Sequence, residues 1–378
     1  MKTESAVLYE MQKPQPYRDS QPLVIEQVEL DAPGPGEVLV EVAYAGLCHS
    51  DLSVINGTRP RVTPMVLGHE ASGIVREVGM GIADLKPDDH VVFSFVPQCG
   101  RCPMCLRGRA VLCEPGGEAN VAGTLLTGTR RFRHATQGDL HHHLGVSGFS
   151  RFTVAARESL VRVDPALPLD TAALFGCATL TGVGAVMNTA KVQPGESVAV
   201  FGLGGVGISV VLGAAAVGAD PIVAVDRLPA KLELAQSVGA TAVVRADEED
   251  AIEQVRALTD GGATFTFECV GHEKVLAQAY TATARGGTTV AIGLPHPSKQ
   301  LTIPALSLIG EERTLKGSYM GSSVPHRDLP RYERLHRAGR LPVEKLKTRE
   351  IELETINEAF DDLAEGKHVR QLVKLHST

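Results

Sequence analysis

The chain is 378 residues long, 43% hydrophobic and 21% charged, with no tryptophan and a formal net charge of −7. That length favours two domains over one, and the composition excludes disordered and fibrous classes. An acidic balance without a basic stripe gives no reason to expect a nucleic-acid partner.

The opening MKTESAVLYE lacks the basic start and apolar core of a secretory signal, so a cytoplasmic protein is expected. Residues 22–48 read as alternating strands, LVIEQVEL and EVLVEVAYAG, divided by the turn DAPGPG. The region 66–96 continues in the same style, with VLGHEASGIVREVG and then DHVVFSF. Many short strands with glycine and proline turns predict a barrel-like β domain.

Within this β region lies CGRCPMCLRGRAVLC, which holds Cys99, Cys102, Cys105 and Cys113. Seven cysteines in a reducing compartment argue against a disulfide framework. Four thiolates so closely spaced instead close a tetrahedral shell around Zn²⁺ and leave no position for substrate. Arg101, Arg107 and Arg109 offset their charge. A nucleic-acid-reading zinc module would need basic and aromatic surroundings, and this one is a lobe of a large acidic protein. A structural zinc is expected.

Beyond Thr179 the pattern changes. The uncharged run from Ser197 to Ala219 is long enough to span a membrane, but Gly202, Gly204, Gly205 and Gly207 interrupt its first half. It reads as buried strand, tight turn and buried helix. PIVAVD, AVVRA, ATFTFECVG and GGTTVAIGLP follow as apolar strands between helical segments, which predicts a doubly wound parallel sheet. The tail from Ser322 is expected to rejoin the first domain, giving a catalytic domain of 1–178 plus 322–378 and a dinucleotide domain of 179–321.

Gly202, Gly204 and Gly207 form G-x-G-x-x-G between a strand and a helix: one glycine for the turn, one for pyrophosphate approach, one for close packing. Asp226 ends the next apolar strand, where an acid bonds the ribose hydroxyls and repels a 2′-phosphate. NAD is therefore expected over NADP, although Arg227 beside it is a residue type that binds such a phosphate.

Three cysteines remain: Cys48, Cys177 and Cys269. With His69, the first two could supply three ligands of a catalytic zinc with an open fourth position. Spacing alone leaves that open, because the residues are far apart and a lone buried Cys or His is commonly structural.

GHEASGIV, the cluster from Cys99 to Cys113, FGLGGVG and Asp226 together resemble the zinc-dependent medium-chain alcohol dehydrogenases. GTRRF, HHHLGVSGFSRFTV and NTAKVQPGESVAVFGLGGVG are similar, in order, to the liver-type and glutathione-dependent formaldehyde dehydrogenase branch. The resemblance covers almost the whole chain. It implies an α/β fold, with a Rossmann coenzyme domain and a GroES-like catalytic domain carrying a structural zinc lobe. It implies two Zn²⁺ per subunit and NAD, with catalytic zinc on Cys48, His69 and Cys177, Glu70 close behind, and Asp51 orienting His69. Ser50 would accept the hydroxyl proton. His49, Thr181, Lys231 and Arg370 would contact coenzyme, and Cys269 is left to the core. It further implies a small alcohol or aldehyde as substrate, no membrane partner, and a homodimer or homotetramer.

The sequence also departs from that branch. Ser53 stands where a relay histidine is common. Glu114 and Glu118 follow the fourth structural cysteine where the formaldehyde-oxidising branch has an Arg for glutathione's carboxylate, so thiol-adduct oxidation is the second reading. In the expected substrate channel Phe95 and Leu294 are apolar, whereas Arg59 replaces a common leucine and His143 a common phenylalanine. Those two either face solvent or make the channel polar. A non-catalytic zinc and dinucleotide binder would be marked by a missing ligand, and none is missing.

Overall fold

The strand pattern read between residues 22 and 96 yields strands that are partly buried, as Leu23–Leu30 is, or buried on both faces, as Glu37–Gly46 is. In the computed structural model, which describes residues 1–376, Lys2–Leu8, Leu23–Leu30, Phe132–His134, Gly138–His142 and Met65–Val66 close into a small barrel. Val7, Val28, Leu30, Val66, Phe132 and Leu140 fill it. Truncating a ring as buried as Phe132 costs about 3–5 kcal/mol. Beside the barrel, a second sheet runs in the order Leu160–Arg162, His90–Phe93, Ala71–Val78, Glu37–Gly46, Arg370–Lys374 and Lys347–Glu352, with Phe152–Ala156 also on Glu37–Gly46.

The chain divides into two compact units: Met1–Cys177 with Val324–Pro330 and the residues from Lys347 onward, and Ala178–Ser323 with Arg331–Leu346. Residues 331–346, expected with the first domain, therefore belong with the second. Arg340 Nη2 donates to the carbonyl of Ala216 at 2.7 Å and Lys345 Nζ to that of Ser237 at 2.9 Å, while Leu341, Val343 and Leu346 are fully buried. Those contacts outweigh continuity with the tail.

The second unit is a six-stranded parallel sheet in the order Ala242–Arg245, Ile222–Asp226, Val198–Phe201, Ala263–Glu268, Thr283–Ala291 and Thr314–Gly317. The order reverses between Val198–Phe201 and Ala263–Glu268, the place where doubly wound sheets receive their ligands. The uncharged run resolves as expected into the strand Val198–Phe201 and the helix Gly205–Val217, whose residues are buried on nearly every side. Such all-round apolarity belongs to a core helix. The helical run Leu169–Ala190 also has the length and hydropathy to cross a membrane, and 89% of its apolar window is buried inside the protein.

Candidate active site

Cys48 lies two residues beyond the strand Glu37–Gly46 and caps the helix His49–Ile55. Its thiol therefore sits at the positive end of a helix, a position that favours thiolate. Gly68, at φ +95°, precedes His69; a Cβ there would lie 2.5 Å from the Phe149 nitrogen, so only glycine lets the chain pass. Cys177 rides on the π-helical turn Phe175–Thr179, a local unwinding often found at functional positions. These three unrelated pieces of chain place two Sγ atoms and an imidazole nitrogen within 4.8 Å of one another. All three residues are buried.

Asp51 organises the group. One carboxylate oxygen accepts the Cys48 N–H at 3.2 Å and the other accepts Nδ1–H of His69 at 2.9 Å. The tautomer that results leaves the His69 Nε2 lone pair free, and this buried atom has no partner among the described residues. Despite burial, Asp51 and Cys48 raise the His69 pKa well above its ordinary value. The Cys177 side chain, against the cost of burial and with Arg370 and His69 alongside, holds the Cys48 thiol well below its ordinary range. An orphaned imidazole nitrogen facing two thiols, one of them poised as thiolate, is the donor set of a zinc site with an open position.

Glu70 lies behind this group, fully buried, and burial pushes its pKa up to about 7 against the opposing charge of Arg370. Arg370 Nη2 is 3.0 Å from Glu70 Oε2, without hydrogen-bond alignment, and Nη1 donates to the Leu47 carbonyl at 2.8 Å. Arg370 is thus part of the buried cluster, a role its expected contact with coenzyme did not foretell. Phe95 packs edge-on to His69 with ring centroids 5.1 Å apart. His143 is 1% exposed, so it does not face solvent; its ring meets His69 edge-on at 5.6 Å. Arg59 is half-buried and Ser50 partly so, whereas His49 is exposed. Ser53 Oγ donates to the His49 carbonyl at 2.7 Å.

The four-cysteine lobe has the other donor set. The Cys99, Cys102 and Cys105 amides point at the sulfurs of Cys113, Cys99 and Cys102 at 3.3, 3.3 and 3.5 Å. Sγ of Cys102 and Cys113 are 4.0 Å apart, close to the roughly 3.8 Å edge of a tetrahedral zinc–thiolate shell. N–H···S bonds of this kind delocalise thiolate charge; the Cys105 amide heads the causes that bring the Cys102 thiol down to about 6. Glu114 and Glu118 are exposed on the helix Glu114–Ala122 that follows, rather than on a loop.

In the second unit the glycines do what their spacing implies. A Cβ on Gly207 would lie 1.8 Å from the Gly202 carbonyl oxygen, so helix and strand meet there, while a Cβ on Gly204 would meet nothing within 4 Å. That open space adjoins the N-terminus of Gly205–Val217, which no side chain caps, and the two together fit a pyrophosphate. Asp226 steadies the turn by accepting Leu203 N–H at 2.7 Å and Leu228 N–H at 3.0 Å. Arg227, next after the strand, is exposed, and Lys231 in the following helix is partly buried. Thr181 is buried in the helix Leu180–Gly184, Leu294 is 49% exposed, and Cys269 is partly buried beside Gly207.

Two family models match the chain, an alcohol dehydrogenase GroES-like domain over residues 34–165 and a zinc-binding dehydrogenase over residues 205–336. A Mycobacterium tuberculosis protein provisionally named alcohol dehydrogenase D is 39% identical over 99% of this chain and 100% of its own. The chain belongs to the zinc-dependent alcohol dehydrogenase family. The dehydrogenase is also 38% identical to the S-(hydroxymethyl)glutathione dehydrogenase of Photobacterium damsela subsp. piscicida, over 93% of this chain and 96% of that one. The crystal structure of benzyl alcohol dehydrogenase from Acinetobacter calcoaceticus matches it with a TM-score of 0.92 at 29% identity, covering all of both chains. The dehydrogenase is accordingly an oxidoreductase of two-domain medium-chain type that uses zinc and NAD on a small-molecule substrate.

Proposed function

We propose that this chain oxidises a primary or secondary alcohol to the aldehyde or ketone, reversibly, with Cys48, His69 and Cys177 as the ligands of the catalytic zinc. The observation that carries the reading is the buried Nε2 of His69, without a partner among the described residues and grouped with two cysteine sulfurs while Asp51 holds its other nitrogen. When bound, zinc supplies Lewis acidity that strengthens an alcohol hydroxyl as an acid, and NAD accepts the hydride. The chain's own residues supply the rest. Ser50, two residues beyond Cys48, takes up the hydroxyl proton and passes it outward. Phe95 walls the site and excludes water. Cys99, Cys102, Cys105 and Cys113 hold the structural zinc.

On the coenzyme side, the N–H groups behind Gly204 and Gly205 take the pyrophosphate, and Asp226 takes the adenosine ribose. Lys231, Arg227 and Thr181 of the second unit contact the remainder of the coenzyme. Arg59 shapes the substrate end within the first unit. The subunits form a homodimer, with a tetramer as its extension, in the cytoplasm. What supports pairing is the free edge of strand Thr314–Gly317 beside the helix Ala305–Gly310, where Leu306 and Ile309 are 78% and 81% exposed. Sedimentation of the native chain and of an Ile309→Glu variant tests it: a monomer in both would refute pairing.

Oxidation of a glutathione adduct is favoured by the relatives of that name and disfavoured by the exposed Glu114 and Glu118. A panel of aliphatic, aromatic and hydroxylated alcohols, plus formaldehyde with and without glutathione, separates the two. Alcohol-dependent reduction of NAD supports the first reading, and reduction seen only with the thiol adduct supports the second.

A further inference from the structure

We propose that His143 is a positioning residue for His69, acting through Asp51 as a second imidazole on the same carboxylate oxygen. The inference rests on the reading that Cys48, His69 and Cys177 hold zinc. His143 Nδ1 lies 3.2 Å from Asp51 Oδ1, the atom that takes the His69 proton at 2.9 Å. A carboxylate oxygen has lone pairs for two donors. The His143 contact is longer and lacks hydrogen-bond alignment, so it is the weaker of the two, and the fully enclosed Nδ1 has no hydrogen-bond partner among the described residues, which leaves Asp51 Oδ1 as the acceptor within reach. Next to a buried carboxylate, the proton of a neutral imidazole belongs on Nδ1.

The surrounding chain is shaped to put the ring there. The His143 amide donates to Ser147 Oγ at 3.0 Å, and the Val146 and Ser147 amides return to the His143 carbonyl at 3.0 and 3.2 Å. Closing this turn sets Leu144 at φ 52° and Ser147 at φ 51°, left-handed conformations that non-glycine residues rarely adopt. Strain of this sort persists where the surroundings impose it, and it gathers at functional sites. An apolar ring would fill the same space without the cost of desolvating an imidazole.

The consequence concerns how hard Asp51 pulls on His69. A carboxylate behind a ligating histidine raises the basicity of the ligating nitrogen. A second N–H on Oδ1 would divert part of that pull, so Nε2 of His69 would be a weaker donor to a zinc held there and would release it more readily. The sequence position that would otherwise widen or narrow a substrate channel thus tunes the metal ligand instead.

The test measures release of metal from the Cys48 site to a chelator, and the thiolate-to-metal charge-transfer band after cobalt replacement, in the native chain and three variants. H143F removes the N–H; H143N places an amide nitrogen where Nδ1 stood; H143Q carries its amide past that point. Release should slow in H143F and H143Q, by less than the roughly 10- to 100-fold scale on which outer-shell partners act, with a shifted band, while H143N matches the native chain. Equal or faster release in H143F and H143Q, or an H143N that behaves as they do, overturns the proposal; H143Q keeps it testable if H143F does not fold. A native chain with no metal on Cys48 overturns the underlying zinc reading, whereas normal metal content with unchanged release overturns only the role of His143.

Discussion

The carboxylate of Asp51 joins two candidate metal ligands: one oxygen holds the amide of Cys48 at 3.2 Å and the other holds Nδ1 of His69 at 2.9 Å. The same side chain therefore completes the cap of a helix and selects a histidine tautomer. An amide at this position would offer an N–H to one of its two donors. Asp51→Asn is expected to lower metal affinity or kcat/KM by roughly 10- to 100-fold with the far-UV circular dichroism unchanged. Equilibrium dialysis against zinc checks this, and native affinity in the variant would refute the role of Asp51.

The proposed proton path distinguishes two nearby serines. Ser53 Oγ donates to the His49 carbonyl, so its own proton is already engaged within the helix, whereas Ser50 precedes it by one turn near the site. Ser50→Ala should reduce kcat by roughly 10²-fold or more, the scale of a lost proton-transfer group, and Ser53→Ala should change it little. Steady-state rates across pH 6 to 10, buffered conventionally, decide the order; equal losses would contradict it.

Asp226 both steadies the glycine turn and closes the end of its strand. Losing a charge-assisted hydrogen bond of about 1.5–3 kcal/mol raises KM for NAD by roughly ten- to a hundredfold. If ribose recognition is its task, Asp226→Ala raises KM for NAD while that for NADP falls or holds, because the repulsion is gone. Equal rises for both coenzymes would reduce Asp226 to a turn-former.

Much of this architecture is legible in the sequence because it is local. Gly202, Gly204 and Gly207 sit within one turn, and Cys99 to Cys113 within one lobe, so spacing reports geometry directly. Cys48, His69 and Cys177 come from a helix cap, a turn before a strand and a π-helical turn; no period links them, and the family resemblance was needed to group them. Arg370 reaches the cluster from the strand Arg370–Lys374, beside the strand Glu37–Gly46 that precedes Cys48. Only sheet pairing reveals its contact with Glu70. His143 could have been noticed as a polar residue in an apolar position, but its carboxylate partner is ninety-two positions earlier. Residues 331–346 join the second unit for a similar reason, since Arg340 and Lys345 satisfy carbonyls of distant helices.

A neighbouring histidine gives the fold a pH limit. His142 is fully buried, and its Nε2 accepts the Arg131 amide at 3.2 Å, a bond that protonation would break. Burial brings its pKa down to about 3 from 6.5. A histidine depressed in the folded state contributes stability that is complete above pH 6.5 and lost as pH falls toward 3. Thermal midpoints should therefore drop between those values, and the drop should be shallower in His142→Gln, which keeps an acceptor without a titrating ring. Parallel curves would refute the assignment.

The account turns on one claim, that Cys48, His69 and Cys177 hold a zinc on which alcohol oxidation depends. Metal analysis and NAD reduction on the same preparations of the native chain and Cys48→Ala test it most directly. Two zinc ions per native chain, one in the variant, and NAD reduction lost with the second ion are the predicted result. A variant that keeps two ions, or that still reduces NAD with alcohol at the native rate, would contradict it.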